Sequence, residues 1–104
     1  MPIVAPAFHP GVLLKDLYLD PAGLSAGKLA RLLNLPRTRI ERLLKGETAM
    51  TVDTAMRLAR FFETSPQYWL NMQTNYDLQQ FATNQKGPVD IQTTYAELTA
   101  ATAA

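Results

Sequence analysis

Cysteine is absent from the 104-residue chain, and histidine and serine are scarce. Without cysteine the chain forms no disulfide, no thiolate zinc site and no cysteine nucleophile. The single histidine, His9, has no partner at a metal-binding or catalytic spacing and is expected to pack or cap at the first helix. Ser25 and Ser65 are the only serines, and both precede predicted helices as N-caps. With neither a glycine-rich phosphate loop nor paired carboxylates, we expect no enzyme, no cofactor and no metal site.

Long hydrophobic runs are also missing. No stretch approaches the roughly 18 consecutive apolar residues that cross a bilayer. The N-terminal sequence MPIVAPAFHPG has no basic region before an apolar core, so it is not typical of a signal peptide. Hydrophobic residues make up 47% of the chain and charged residues 18%, which suits one compact domain. The sequence therefore predicts a soluble, cytoplasmic protein.

The net charge of +1 hides a polarisation along the chain. Between Ser25 and Arg60 there are eight basic and three acidic residues, a net charge of +5. The remainder has two basic and six acidic residues, a net charge of −4. A basic middle third is typical of a surface that meets a polyanion. The acidic remainder favours a second surface with a different partner.

Apolar periodicity and capping residues predict an all-α domain of five helices. The predicted segments are an arm over residues 1–8, a domain over 9–84 and a mobile tail over 85–104. Within the domain we expect a first helix over about 10–18, a turn over 20–23, a helix-turn-helix unit over 25–46, a fourth helix capped by Thr51 and a long helix over 65–84. The buried positions of the first and fourth helices are predicted as Val12, Leu13, Leu14 and Leu17, and as Val52, Ala55, Met56, Ala59 and Phe62.

The segment SAGKLARLLNLPRTRIERLLKG, residues 25–46, contains two short helices joined by three residues. This arrangement is that of the helix-turn-helix unit. Asn34 stands in the turn, where a left-handed conformation is needed. At about 100° per residue, the outer face of the second helix lies opposite its apolar stripe of Ile40, Leu43 and Leu44. That outer face consists of Thr38, Arg42 and Lys45, with Arg37 and Arg39 flanking its N-terminal end.

Basic and hydroxyl side chains in this arrangement are suited to binding double-stranded DNA. In the major groove the N-terminal part of a recognition helix reaches base edges, where arginine binds guanine and a threonine methyl meets thymine. Lys45, at the far end, is predicted to contact phosphate. Ser25 and Lys28, at the start of the preceding helix, are predicted to do the same. The alternative for Arg37 and Lys45 is a set of surface ion pairs with Glu41.

The sequence resembles the HigA/VapI-type antitoxins, a branch of the Xre-like (phage-repressor-like) helix-turn-helix family. The resembling segments are HPGVLLKDLYL, GLSAGKLARLLNLPRTRIERLLKGE and TVDTAMRLARFFETSPQYWLNMQTNYDL. The resemblance implies a homodimer that binds double-stranded operator DNA and represses its own toxin–antitoxin operon. It also implies neutralisation of a HigB toxin, similar to RelE, that cleaves mRNA on the ribosome. Carried over by position, the implied base contacts are Arg37, Thr38, Arg39 and Arg42, and the implied backbone contacts are Ser25, Lys28 and Lys45.

The long helix has more aromatic surface than so small a domain can bury. We therefore predict a twofold dimer, which places two recognition helices about 34 Å apart. Its predicted interface consists of Tyr68, Trp69, Met72 and Tyr76. For Trp69 itself the alternative, a place in the core of the single chain, is favoured, because a lone tryptophan is usually well buried.

Two alternative functions stay open from the sequence. The first is a stand-alone regulator of the same fold without a toxin, and the second is a protein-interaction module that makes no use of the basic centre. If a basic toxin binds, acidic residues outside the centre are its expected contacts: Asp16, Asp20, Asp77 and Glu97. The tail after Gly87 is a second possible site for the toxin, as a segment that folds on binding.

Overall fold

All regular structure in the described residues, 7–85 and 87–102, is helical, as this computed structural model shows. The helices are α1 (Pro10–Leu14), α2 (Asp20–Ala22), α3 (Ala26–Leu32), α4 (Arg37–Leu44), α5 (Val52–Phe62), α6 (Pro66–Asn84) and α7 (Tyr95–Thr102). A π-helical turn, Lys15–Leu19, joins α1 to α2. The all-α prediction is confirmed. Within the part of the chain that the structure describes, no helix is long and apolar enough to span a bilayer.

Side-chain caps begin α3, α5 and α6 where the sequence predicts them. Ser25 Oγ accepts the backbone N–H of Lys28 at 3.1 Å, and Thr51 Oγ1 accepts that of Thr54 at 3.3 Å. Ser65 Oγ accepts the N–H of Tyr68 at 3.1 Å. Each cap accepts a hydrogen bond from a backbone N–H that has no partner within the helix. Such a cap typically raises the free energy of unfolding by about 1 kcal/mol.

The first helical segment continues beyond its predicted end. The backbone N–H of Asp20 donates to the carbonyl of Lys15, five residues earlier, and the helix continues to Gly23, whose φ is +64°. Pro21 explains the wide turn, because proline has no N–H and its ring clashes with the carbonyl four residues back. The extra residue changes which side chains face the core: Leu14 and Leu19 are buried, whereas Leu17 is 59% exposed. The prediction of Leu17 as a core residue is therefore wrong.

The fully and nearly buried apolar residues form one core: Leu14, Leu19, Leu29, Ala30, Leu33, Ile40, Leu43, Met50, Ala55, Leu58, Ala59 and Trp69. The Trp69 ring contacts those of Tyr18 and Phe62, with centroids 5.1 and 5.9 Å apart. Its indole N–H donates to Thr64 Oγ1 at 2.8 Å. Trp69 has no exposed surface, so it belongs to the core of the single chain. Its assignment to a dimer interface is wrong, because no part of the ring is left for a partner.

The buried face of α5 differs from the predicted stripe. Val52 and Met56 are 63% and 55% exposed, whereas Leu58 and the polar Thr54 are buried. Thr54 tolerates burial because its Oγ1 accepts a hydrogen bond from Arg39 at 2.8 Å. Apolar spacing alone treats Thr54 as a surface residue. The observed buried face is therefore rotated toward Thr54 and Leu58, while Ala55 and Ala59 are buried as predicted.

The C-terminal tail differs from expectation, whereas most of the predicted arm is not tested. Residues 1–6 of the predicted arm lie outside the described residues, and the N–H of Ala7 is held by Gln79 Oε1 in α6. The tail, predicted to lack regular structure, contains α7. Thr94 Oγ1 accepts the N–H of Glu97 at 3.1 Å at the start of this helix. Because α7 has no buried face, with Tyr95 82% exposed, its sequence has no amphipathic period to detect.

A close backbone contact joins the first helix to the end of α4. His9 Nδ1 accepts the N–H of Gly11 at 3.0 Å, which confirms the predicted capping role. The His9 ring stands edge-on to Tyr76, with centroids 5.1 Å apart, and burial lowers its pKa. A Cβ placed on Gly11 would lie 1.7 Å from the carbonyl oxygen of Leu43. Only glycine therefore allows α1 to approach α4 this closely.

Replacing Gly11 with alanine should destabilise the fold by at least about 2 kcal/mol, because the new methyl group meets backbone that cannot move aside without shifting α4. Gly27→Ala is the matched control, since its Cβ would lie 3.5 Å from the flexible side chain of Arg37. Alanine within a helix should raise stability there by about 0.5 kcal/mol. Urea unfolding measures both variants, and equal stabilities for the two would contradict the contact.

Candidate nucleic-acid interface

A left-handed residue turns the chain between α3 and α4. Asn34 has a φ of +58°, as the sequence predicts, and the N–H of Leu35 donates to the carbonyl of Ala30 at 2.8 Å. Leu29 and Ala30 of α3 are buried together with Ile40 of α4. The two helices therefore pack as one unit, and the small Ala30 lies on the buried face of α3.

The outer face of α4 is polar and basic, as predicted. Thr38, Arg42 and Lys45 are exposed on the side opposite Ile40 and Leu43. These side chains are directed away from the core because the inner face of the same helix is fully buried. They form one exposed row along the helix.

The remaining residues predicted to contact DNA differ in whether their side chains are already bonded to other residues of the protein. The Arg37 side chain is 74% exposed and forms an ion pair with Glu41, one turn further along α4. Surface pairs of this kind contribute at most a few tenths of a kcal/mol, so a phosphate readily replaces the partner. Ser25 and Lys28 are exposed at the start of α3.

Arg39 differs from its predicted outward orientation. Its Nη2 donates to Asp53 Oδ2 at 2.8 Å, to Thr54 Oγ1 at 2.8 Å and to Thr51 Oγ1 at 3.2 Å. All three acceptors belong to the cap and first turn of α5. The guanidinium is thus turned back to the protein.

Asp53 connects two arginines at this place. Its carboxylate also accepts hydrogen bonds from Arg57 Nε at 3.1 and 3.2 Å. The hydrogen bonds from Arg57 and Arg39 lower the pKa of Asp53, so the group is ionised at neutral pH. Arg57 Nη1 in turn donates to the carbonyl of Leu33 at 2.8 Å, at the end of α3. Asp53 therefore links α3, α4 and α5.

A shallow groove runs beside the row on α4. It is lined by residues of α4, of the following loop and of the start of α5: Pro36, Thr38, Arg39, Arg42, Leu43, Thr48, Ala49, Thr51 and Thr54. The sequence did not indicate Thr48, Thr51 or Thr54 as groove residues. No local pattern identifies them, because Thr51 and Thr54 meet Arg39 only after α5 folds back on α4. Among the described residues no cluster of histidine, aspartate and glutamate is placed to hold a metal ion.

Three of the four residues predicted for a dimer interface keep some exposed surface. Tyr68 is 37% exposed, and its hydroxyl lies 2.8 Å from that of Tyr18. This hydrogen bond raises the pKa of Tyr68 to about 12. Met72 and Tyr76 are half-buried. The larger apolar exposure of α6 lies in its C-terminal half, where Leu78 and Phe81 are 64% and 54% exposed.

Comparison with known proteins finds one family model and several relatives. Residues 14–69 match the helix-turn-helix model HTH_3. The chain is 49% identical to Virulence-associated protein I of Dichelobacter nodosus over 73 residues, covering 70% of this chain and 68% of that protein. It is 32% identical to antitoxin HigA-1 of Vibrio cholerae, covering 65% of this chain and 64% of that protein.

A solved structure shares the architecture. The Pseudomonas aeruginosa antitoxin HigA, determined with the higBA promoter, superposes with a TM-score of 0.71 at 31% sequence identity. The match covers 81% of this chain and 99% of that one. The similarity therefore extends well beyond the helix-turn-helix unit.

Proposed function

The chain belongs to the Xre-like helix-turn-helix family of DNA-binding regulators, and we propose that it binds operator DNA as a homodimeric antitoxin. The observation that supports DNA binding most directly is the exposed row of Thr38, Arg42 and Lys45 over a fully buried inner face. A helix seated in this way presents a basic surface that can enter a major groove without changing the core.

Base edges and phosphates are assigned to different parts of this surface. Thr38 and Arg42 are proposed to contact bases, since both line the groove and lie on the outer face of α4. Arg37, at the first position of α4, is a further proposed base contact. Lys45, Ser25 and Lys28 are proposed to contact phosphates, which fix the position of the helix but do not read the sequence.

Arg42→Ala and Lys45→Ala should weaken DNA binding in different ways. Loss of a base contact at Arg42 should cost about 1–3 kcal/mol on the preferred site and relax the preference at one base pair. Loss of a phosphate contact at Lys45 should weaken all duplexes alike and reduce the salt slope by about one. Fluorescence anisotropy at 50–200 mM salt measures both. A uniform loss for Arg42→Ala, or an unchanged slope for Lys45→Ala, would contradict the assignment.

The dimer is proposed to form through α6. The single chain is elongated, with a radius of gyration of 18.9 Å, against about 13 Å for a compact chain of this length. The most exposed large apolar residues of α6 are Leu78 and Phe81, in its C-terminal half. At about 100° per residue they lie on a different stripe of the helix from Tyr68, Met72 and Tyr76, and they are proposed as a second apolar part of the dimer interface. A twofold axis there would present two copies of α4 to one duplex.

Sedimentation at micromolar concentration tests the dimer. The native chain should sediment as a dimer, and the variant Leu78→Ser with Phe81→Ser should shift toward monomer, because it removes the two most exposed large apolar side chains of α6. Leu17→Ser is the matched control, since Leu17 is 59% exposed but lies in the first helical segment. A monomeric native chain, or an equal effect of the control, would count against α6 as the interface.

Toxin neutralisation is the second part of the proposal. It is supported by the similarity to two HigA antitoxins and by the net charge of −4 outside the basic centre. Of the acidic residues predicted as contacts, Asp20 is paired with Lys15 at 2.9 Å, and Asp77 accepts a hydrogen bond from Gln73 at 2.8 Å. Asp16 and Glu97 are exposed, and they suit a basic nuclease of the HigB type.

Co-expression with the protein encoded by the adjacent gene tests this part. The two proteins should purify together, and the complex should no longer cleave mRNA. Lys45→Ala serves as a control, because a residue proposed to contact phosphate should leave the inhibition unchanged while it weakens DNA binding. If no neighbouring protein binds and promoter binding persists, the chain is a stand-alone regulator.

A further inference from the structure

One cation beside the proposed DNA surface is held by the protein itself. Arg39 Nη2 lies within hydrogen-bond distance of three acceptors: Asp53 Oδ2, Thr54 Oγ1 and Thr51 Oγ1. The Arg39 side chain is only 36% exposed, compared with 74% for Arg37, two residues earlier. In this arrangement Arg39 fixes the start of α4 against α5.

The carboxylate that holds Arg39 cannot move outward with it. Asp53 is also bonded to Arg57, one turn along α5, and Arg57 Nη1 donates to the carbonyl of Leu33. If Arg39 moved to a duplex, it would leave this ionised carboxylate behind in the first turn of α5, beside the groove residues Thr51 and Thr54. That negative charge would then face DNA phosphates, which is unfavourable. Asp53 therefore favours the inward position of Arg39.

A free arginine at this edge would change what the surface recognises. A guanidinium that reaches phosphate adds affinity for every duplex, whatever its sequence, and makes binding more sensitive to salt. Because Arg39 is held against the protein, it does not add this sequence-independent affinity. Thr38 and Arg42 line the same groove and remain available to read bases.

We propose that Asp53 is a specificity-determining residue for DNA recognition. By holding Arg39 away from the duplex, it makes Arg39 a positioning residue for α4 and leaves discrimination between sequences to Arg37, Thr38 and Arg42. The inference rests on the proposed DNA binding. Arg57 supports the same arrangement by keeping Asp53 in place.

The isosteric variant Asp53→Asn tests the proposal on the full chain. Binding is measured to a duplex selected from a random-sequence library and to an unrelated duplex of the same length, over a range of salt concentrations. The variant should bind the unrelated duplex about tenfold more tightly at 0.1 M salt, and its salt slope should be steeper by about one, as expected for one added phosphate contact. The ratio of the two affinities should fall accordingly.

Three further variants separate this effect from a simple change of charge. In an Arg39→Gln background, Asp53→Asn should leave the salt slope unchanged, because no guanidinium is released. Arg39→Gln alone should keep the native order of preference among single-base variants of the selected duplex. Glu47→Gln removes an equal charge from an exposed residue after α4, and it should not steepen the slope.

Several results would overturn the inference. The steeper salt slope of Asp53→Asn could persist in the Arg39→Gln background, or Glu47→Gln could reproduce it. Either result would show that Asp53 acts only through its negative charge and not by holding Arg39. A relaxed preference at one base pair in Arg39→Gln would make Arg39 a base contact; this measurement decides the matter even if Asp53→Asn is poorly folded. Absence of salt-dependent binding by the native chain would instead refute the proposed function itself.

Discussion

Burial of the inner face of α4 is the constraint on which the rest of the structure depends. Ile40 and Leu43 are almost completely removed from solvent, in contact with a core that includes Leu29 and Ala30 of α3. An amphipathic helix fixed in this way has only one face left for a partner. The outward position of Thr38, Arg42 and Lys45 follows from this, and so does the groove that Thr38 and Arg42 share with α5.

Local patterns predicted the helices and their beginnings well, because caps and turns act over a few residues. Ser25, Thr51 and Ser65 cap helices as expected, and Asn34 adopts the left-handed conformation. The outer row of α4 followed from the same short-range geometry. The inward position of Arg39 did not, since its acceptors at residues 51, 53 and 54 lie 12 to 15 positions away. Such contacts depend on how helices fold onto each other.

The same reason explains the errors in the buried face of α5 and in the first helix. Thr54 is buried because Arg39 satisfies its hydroxyl, and Leu17 is exposed because Pro21 widens the preceding turn. In both cases a hydrogen-bond requirement outweighed hydrophobic spacing. The separation of basic from acidic residues, in contrast, could be predicted from the sequence. Three basic residues of the centre lie in α4, whereas the exposed Asp16 and Glu97 lie in other helical segments.

The contact between Gly11 and the Leu43 carbonyl has a consequence for how this surface can diversify. It fixes the end of α4 through main-chain atoms, and the inner side chains fix the remainder of the helix. The outward side chains take no part in holding the helix in place. The residues proposed to contact DNA, Thr38, Arg42 and Lys45, can therefore be exchanged without selecting a new core, so that under the proposed function altered recognition is accessible in single substitutional steps.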